Sequence, residues 1–282
     1  MLEKYYSTLS ENPKDVKVDL HMHSIVSDGT WPPEILVKNV KDAGIKIFAL
    51  TDHDDVAHVE QTGALAIEND MFFIPGVEIN STFKDHSYHI LGLGVDILNE
   101  ALLAVLEENR NLFIDKDDGA IRYLQTRYPQ VSPEEFKAYH NKRERGGWKA
   151  LNYLIDKKLC ANFREYFKLF EGEGSSFLSL TFHSPAEVIT LVHNAGGQAI
   201  LAHPGASFYD PDYQFVLDSM LSEGIDGVEC FHPENNEAVT QYALDFCRSH
   251  GLLITGGSDC HGTFLPARCY GRPDVRLSDM VL

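Results

Sequence analysis

Short apolar runs alternate with amphipathic segments along the first hundred residues. The runs "VKVDL", "KIFALT" and "MFFIPGVEI" have the length of strands, whereas "PEILVKNVKDAG" and "HVEQTGALAIEND" carry apolar residues at helical spacing. The alternation returns later with "SPAEVITLVHNAGG", "QAILAHPG", "YQFVLDSMLSEG", "DGVECF", "NNEAVTQYALDFCRSHG" and "LLITGGSD". Most of these helical segments end at or near glycine, which is common at helix ends. This βαβα order predicts an α/β fold built on a parallel sheet or barrel.

The alternation is interrupted between Asn99 and about Thr181. The sequence there is charged and has helical periodicity, as in "EALLAVLEENRNLFIDKDDGAIRYLQTRY" and "WKALNYLIDKKLC". We therefore predict a barrel domain made of residues 1–98 and 182–282, with residues 99–181 inserted as a helical cap. The insertion follows "HILGLGVD" directly, and so we expect the cap to lie over the face where that strand places its polar residues.

Side chains able to bind metal gather where the predicted strands end. They are His21, His23, Asp28, His53, Glu78, His89, His203, His232, Asp259 and His261. In a βα barrel the carboxyl ends of different strands meet on one face, and enzymes of this kind place their chemistry there. A single histidine at a strand end is more often structural than functional, but this argument weakens when so many ends carry one.

The spacing within two of these groups is that of a chelate. Residues two apart on an extended strand point to the same side, so His21 can share an ion with His23, and Asp259 can share one with His261. Imidazole and carboxylate donors without thiolate suit Zn, Mn or Fe, and the set is larger than one ion needs. The sequence therefore predicts two or three divalent ions, with Glu78 as a bridging carboxylate.

Composition and charge narrow the possible partners. The net charge of −18 over 282 residues opposes a surface that tracks long nucleic acid, because such binding depends on Lys and Arg neutralising phosphates. No apolar run reaches the length of a membrane span, and the start of the chain does not resemble a secretion signal. The five cysteines are widely spaced and suggest neither a disulfide framework nor a thiolate zinc site. We expect a soluble, cytoplasmic protein.

Four motifs in order resemble those of the PHP family, the polymerase and histidinol phosphatase group of metal-dependent phosphoesterases. They are "DLHMHSIVSDGTWPPEIL", "LTDHDD", "LAHPG" and "GSDCHG", and "GVEI" and "YHILGLG" support them. The resemblance covers both ends of the chain and is weakest in the insertion. It implies a distorted seven-stranded (β/α)7 barrel of the PHP type.

The resemblance also implies how the ligands are shared among three metals. His21, His23 and Asp259 would bind the first metal, and Asp28, His53 and His261 would bind the second. Glu78 would bridge to a third metal that His89 and His203 complete. These assignments place the nine residues in one centre.

The implied activity is hydrolysis of a phosphate monoester by metal-activated hydroxide. Asp28 in "SDGT", the insertion after "GLGVD" and the His-Pro pair after "VEC" most resemble the branch that acts on small nucleotides, including nucleoside 3′,5′-bisphosphates. Relatives in that branch often carry Arg-Pro-His in the insertion to hold phosphate, whereas this chain has Gly147-Trp148-Lys149. That departure puts the choice among small phosphorylated substrates in question.

Further residues are expected to act on the substrate. We expect His232 to hydrogen-bond the phosphate, Arg110 and Lys149 to close over it as cations, and Asp54 to orient His53 or a bound water. Alternative functions remain open: a metal-dependent hydrolase of another phosphoester or of an amide, or a silent module stabilised by metal. A proofreading nuclease fits the acidic composition less well.

Overall fold

A computed structural model describes residues 2–282, and its sheet contains the predicted strands in chain order. The strands are β1 (Lys17–Asp19), β2 (Ile45–Leu50), β3 (Phe72–Phe83), β4 (His86–Leu93), β5 (Gln198–Leu201), β6 (Gly227–Phe231) and β7 (Leu253–Gly256). The sheet runs β1 to β7 without a crossover in its order. The predicted α/β fold is confirmed.

Strand β4 departs from the parallel arrangement. It pairs antiparallel with both β3 and β5, whereas the other neighbouring pairs are parallel. The reason is that β3 and β4 form a hairpin, with Phe83 opposite His86 beside the turn. Because β4 runs the other way, its first half lies at the face where the parallel strands end.

The outer strands of the sheet also meet. Leu20 N donates to Gly256 O at 3.1 Å, and Met22 forms a parallel bridge with Cys260. These contacts lie just beyond β1 and β7 and join the two edges, as a distorted barrel requires. Its interior is filled by apolar side chains from alternate strand positions, among them Ile47, Ile74 and Ile200.

Helices cover the outside of the sheet where the periodicity predicts them. They are α1 (Pro33–Asp42), α2 (Val59–Glu68), α7 (Pro185–Asn194), α8 (Tyr213–Glu223) and α9 (Glu237–His250). A capping box from Ser184 to Glu187 starts α7, and left-handed glycines at Gly224 and Gly251 end α8 and α9. The glycine-based helix ends predicted for α8 and α9 are therefore confirmed.

The inserted segment between β4 and α7 is helical. It contains α3 (Glu100–Gln125), α4 (Pro133–Ala138), α5 (Lys149–Asp156) and α6 (Phe163–Lys168). These helices pack around their own apolar cluster, which includes Ile121, Leu154 and Tyr166. The limits 99 and 181 for a separate cap domain stay a prediction.

Among residues 2–282, no helix combines the length and apolar character that a membrane crossing needs.

Candidate metal centre

The nine predicted ligands converge at one end of the barrel. His21 and His23 follow β1, His53 follows β2, and Asp259 and His261 follow β7. Glu78 lies inside β3, and its partner strand β4 places His89 opposite Asn80. The antiparallel direction of β4 explains why a histidine in the first half of a strand reaches a site formed by strand ends. His203 follows β5 and completes the ring of donors.

Glu78 lies at the middle of this cluster and is fully buried. Its Oε1 atom is 2.8 Å from His89 Nδ1 and 3.0 Å from His203 Nε2. Its Oε2 atom is 3.1 Å from His21 Nε2 and 3.2 Å from His23 Nε2, with His53 Nδ1 also at 3.1 Å. Each oxygen therefore faces a different set of imidazoles, which is the geometry that a bridging carboxylate needs.

Asp28 is a second carboxylate around which candidate ligands gather, and it lies on the side of His261. Its Oδ1 atom is 3.2 Å from His261 Nε2 and 3.9 Å from His23 Nδ1. His23, Asp28, His53 and His261 each offer a ligand atom, and these atoms lie within 4.8 Å of one another. The same holds for His21, His23, Glu78 and Asp259, and for His53, Glu78 and His89. These groups overlap, since His23, His53 and Glu78 each belong to two of them, and none of them contains His203. The implied division of the ligands among three metals stays a prediction.

Hydrogen bonds fix the orientation of two histidines. His21 Nδ1 is 3.0 Å from Glu229 Oε1, and His261 Nδ1 is 2.7 Å from the carbonyl oxygen of Asp259. Because these acceptors require the proton on Nδ1, the Nε2 lone pairs point into the cluster. A carboxylate or carbonyl behind the ring is the usual support of a metal-binding histidine.

Sequence reasoning gave no role to Glu229, although a signal was present. Glu229 is a fully buried glutamate in "GVEC" on β6, the same context as Glu78 in "GVEI" on β3. It touches His21 and also accepts the backbone N–H of His203 at 2.9 Å. A glutamate in an apolar strand needs a partner, and this requirement could have drawn attention to it.

His232 has the opposite tautomer. Its Nδ1 accepts the backbone N–H of Glu234 at 3.0 Å, so in the neutral ring Nε2 carries the proton. That Nε2–H group donates to Asp259 Oδ2 at 3.2 Å. Although His232 lies beside His21 and Glu229, a protonated Nε2 has no lone pair for a metal. The geometry agrees with the predicted substrate contact rather than with a ligand.

The donor atoms fit divalent cations in both chemistry and bonding. Several buried side-chain atoms of the candidate ligands lack a hydrogen-bond partner among the described residues, namely both ring nitrogens of His23, His53 Nδ1, His203 Nδ1 and Asp259 Oδ1. Buried polar atoms are normally paired, so such a group of unpaired atoms points to an ion. The imidazole and carboxylate set suits Zn, Mn or Fe.

Charge within the cluster leads to the same conclusion. Burial opposes a charge on His23, yet the carboxylates of Asp259 and Glu78, 3.0 and 3.2 Å from His23 Nε2, outweigh burial and raise the pKa of His23 to about 10. The carboxylates thus attract a positive charge at this point, which a divalent ion can supply in place of a proton. Burial and the neighbouring His23 lower the pKa of His53 to about 3, so this ring is neutral and able to bind metal. The ligand role of the nine residues stays a prediction that this arrangement supports.

Asp54 has partners other than those expected from the sequence. Its Oδ1 accepts Asn109 Nδ2 at 2.7 Å and the backbone N–H of Asn80 at 3.2 Å, and its Oδ2 accepts Asn80 Nδ2 at 2.6 Å. Both oxygens are thus engaged by asparagines, and the expectation that Asp54 orients His53 or a bound water stays a prediction. Asp54 ties the loop after β2 to α3 of the insertion.

A cavity of about 490 Å³ lies between the metal centre and the inserted helices. Asp28, His53 and His89 form part of its floor. The insertion supplies an apolar wall, made of Phe113, Ile114, Trp148, Phe167, Leu178 and Leu180. It also supplies three cations, Arg110, Lys116 and Arg143. The helical segment thus covers the face that carries the candidate ligands.

The cations of this cavity are only partly those expected. Arg110 lines it, with Nη1 donating to Asp54 O at 2.5 Å and 3.7 Å from Asp55 Oδ2. Lys149 does not reach it, because its Nζ donates to Lys137 O at 3.3 Å and lies 4.7 Å from the Phe136 ring centroid. The expectation that Lys149 closes over the substrate is therefore corrected. Lys116 and Arg143, which sequence reasoning missed, contribute charge instead.

The Gly147-Trp148-Lys149 segment, where this chain departs from the family motif, lies against the loop that carries Asp28. The Gly147 N–H donates to Asp28 O at 2.8 Å, with Gly147 at a φ of +68°. A Cβ at the neighbouring Gly146 would come within 2.9 Å of the same carbonyl oxygen. The glycines therefore let the insertion backbone approach the Asp28 loop, while Trp148 lines the cavity.

An α/β barrel with histidines and carboxylates gathered at its strand ends is typical of metal-dependent hydrolases. The chain matches the PHP domain model over residues 19–194, more than half of its length, and so belongs to the PHP domain family.

Relatives with assigned names are similar over most of the chain. It is 27% identical to a 3′,5′-nucleoside bisphosphate phosphatase of Chromobacterium violaceum, covering 86% of this chain and 87% of the relative. It is 29% identical to a 5′-3′ exoribonuclease of Haemophilus influenzae, covering 87% and 90%. A solved structure from Bifidobacterium adolescentis, described as a metal-dependent phosphoesterase, superposes with a TM-score of 0.77 at 26% identity, covering 91% and 93%. The protein is thus a metal-dependent phosphoesterase, a hydrolase.

Proposed function

We propose that the protein hydrolyses the phosphate monoester of a small nucleotide, such as a nucleoside 3′,5′-bisphosphate or a mononucleotide. The observation that carries the proposal is the cavity over the metal centre. Its volume of about 490 Å³ is in the range of pockets that enclose one small ligand. One relative is named a bisphosphate phosphatase, which agrees with this choice.

The lining of the cavity matches the two halves of a nucleotide. Trp148, Phe113 and Phe167 offer aromatic surface for a base, since a base can stack on such rings. Lys116 Nζ lies 5.4 Å from the Phe113 ring centroid and 5.6 Å from that of Trp148, so a cation accompanies the aromatic wall. Arg143 lies at the loop before Asp28, with Nη1 donating to Val26 O at 3.0 Å. These cations are suited to phosphate groups on the non-reacting part of the substrate.

The reacting phosphate would lie over Glu78 and its histidines. Two or three divalent ions bound there (Mn, Zn or Fe) would activate water and neutralise charge on the phosphoryl oxygens. His21, His23, Asp28, His53, Glu78, His89, His203, Asp259 and His261 would hold them. His232 directs its Nε2–H group to the edge of the centre and would donate to a phosphoryl oxygen.

A second candidate substrate is the 5′ end of an oligoribonucleotide, because one relative is named an exoribonuclease. The chain's net charge of −18 weighs against long polymers, since tracking them requires clustered cations. We propose that small nucleotides are preferred over RNA chains.

The test is phosphate release by the purified protein loaded with Mn, Zn or Fe. The panel contains nucleoside monophosphates, nucleoside 3′,5′-bisphosphates, a 5′-phosphorylated oligoribonucleotide and a generic aryl phosphate. We expect the highest kcat/KM with a nucleotide, two or three ions per chain, and loss of at least one ion in His21→Ala. Activity without metal would refute the proposal. Faster turnover of the oligoribonucleotide would show that RNA ends, the second candidate, are the preferred substrate.

A further inference from the structure

Arg268 reaches the metal centre from a segment outside the cap. It lies in the irregular chain that follows β7, and its side chain is 19% exposed. Its Nη1 atom is ion-paired with Asp259 Oδ2, and its Nη2 atom with Glu234 Oε1. Sequence reasoning gave no role to this arginine, and it does not line the cap cavity.

Asp259 presents its two oxygens to different partners. Oδ1 is 3.0 Å from His23 Nε2 and 3.5 Å from His21 Nε2, so this oxygen faces the candidate ligands. Oδ2 instead receives the guanidinium of Arg268 and the Nε2–H group of His232. Two N–H donors, one with a full positive charge, thus converge on an anionic oxygen at the edge of the metal centre. Such a donor pair is suited to a phosphoryl oxygen.

The short loop after β6 orients both donors. The backbone N–H of Glu234 sets the tautomer of His232, and the carboxylate of Glu234 binds Arg268. An arginine has five N–H groups in a rigid fork, so the guanidinium can stay on Glu234 while another N–H reaches a substrate. The side chain is 19% exposed, so part of it is accessible to solvent.

We propose that Arg268 binds the reacting phosphoryl group beside His232. The proposal rests on the proposed phosphatase function and adds a substrate contact to it. The competing possibility is that Arg268 only holds Asp259 in place, which predicts a different result.

The experiment compares the metal-loaded wild type with Arg268→Gln and Arg268→Lys. Metal content is measured by elemental analysis, binding of inorganic phosphate by calorimetry, and inhibition by phosphate with a generic aryl phosphate as substrate. Arg248→Gln is the matched control, because Arg248 lies on α9 with its side chain 61% exposed and pairs with Asp245. A metal-loaded wild type that hydrolyses no phosphate ester would refute the proposed function, and the Arg268 variants would still be compared by direct phosphate binding.

We expect Arg268→Gln to keep the wild-type metal content and to bind phosphate about ten- to a hundredfold more weakly, as for loss of a hydrogen bond to a charged group. Arg268→Lys should show a smaller loss, because it keeps the charge without the fork. This variant decides the question if Arg268→Gln does not fold. Loss of metal with unchanged phosphate affinity per loaded site would overturn the proposal in favour of a support for Asp259. Unchanged metal content and unchanged phosphate affinity would overturn it as well.

Discussion

Replacing Glu229 with Gln tests the support behind the metal centre most directly. Glu229 uses both oxygens: Oε1 and Oε2 lie 3.0 and 3.2 Å from His21 Nδ1, and Oε2 also accepts the His203 N–H at 2.9 Å. Glutamine offers one oxygen and an NH2 group. With the oxygen at the Oε1 position the His203 N–H would lose its acceptor, and with the oxygen at the Oε2 position the NH2 group would face the N–H of His21. Burial opposes the charge of Glu229, but His21 outweighs it and lowers the pKa of this carboxyl. The substitution therefore removes a charge that His21 uses.

The size of the effect follows from these contacts. A support residue behind a metal-binding histidine contributes about 10- to 100-fold in metal affinity. One unpaired buried donor costs about 1–3 kcal/mol in the free energy of unfolding. We expect both losses in Glu229→Gln, and neither in the control Glu68→Gln on the exposed end of α2.

Two measurements separate the loss of metal affinity from the loss of stability. Titration of metal-free protein with a chelator-buffered metal gives the affinity, and urea unfolding of the metal-free protein gives the stability. A lower stability with unchanged metal affinity would show that Glu229 only satisfies buried donors. Unchanged values in both assays would contradict the account of the His21 tautomer.

Three further predictions concern neighbouring groups. His232→Ala should keep the metal content and lower kcat/KM about 10- to 100-fold, since its Nε2–H is a donor; loss of an ion on elemental analysis would make it a ligand. Because the pKa of His23 is raised to about 10, this ring is protonated at pH 7 in the metal-free protein. Metal binding should then release protons and strengthen as pH rises towards 10, which calorimetry in buffers of different ionisation enthalpy detects; uptake of protons, or none released, would contradict it. Asn109→Ala removes the hydrogen bond to Asp54, so it should lower the free energy of unfolding by about 1–3 kcal/mol and raise KM for a nucleotide. Glu107→Ala is the control. An unchanged KM would show that this contact between insertion and barrel does not affect substrate binding.

The sequence was most informative where the determining geometry is local. The two-residue spacing of His21 and His23 places both rings on one side whatever the rest of the chain does. The ends of β2, β5 and β7 were likewise visible as the last apolar residues before a ligand. The direction of β4 could not be predicted from these strand ends, because it depends on the hairpin with β3. His89 nevertheless lies on the face that carries the other candidate ligands.

Contacts between distant parts of the chain could not be predicted in this way. Glu229 lies 208 residues from His21, and no periodicity connects the two. Lys149 carries the charge that the motif comparison sought, but the start of α5 turns its side chain towards Phe136. Lys116 and Arg143 come to the cavity through the packing of the insertion on itself and on the barrel. Tertiary packing therefore determines which cations line the cavity.

The contacts between the insertion and the barrel fall next to candidate ligands. Asn109 and Arg110 on α3 bind Asp54, the residue after His53. Arg143 binds the carbonyl of Val26, and the backbone of Gly147 binds that of Asp28. The loops that carry two ligands of the centre are thus held by the segment that shapes the substrate cavity. It follows that the position of the cap and the position of these ligands are coupled, since a shift of α3 would move the His53 loop with it. Substrate specificity and metal affinity should therefore change together when these anchors are altered, whereas substitutions on the apolar wall alone should change only specificity.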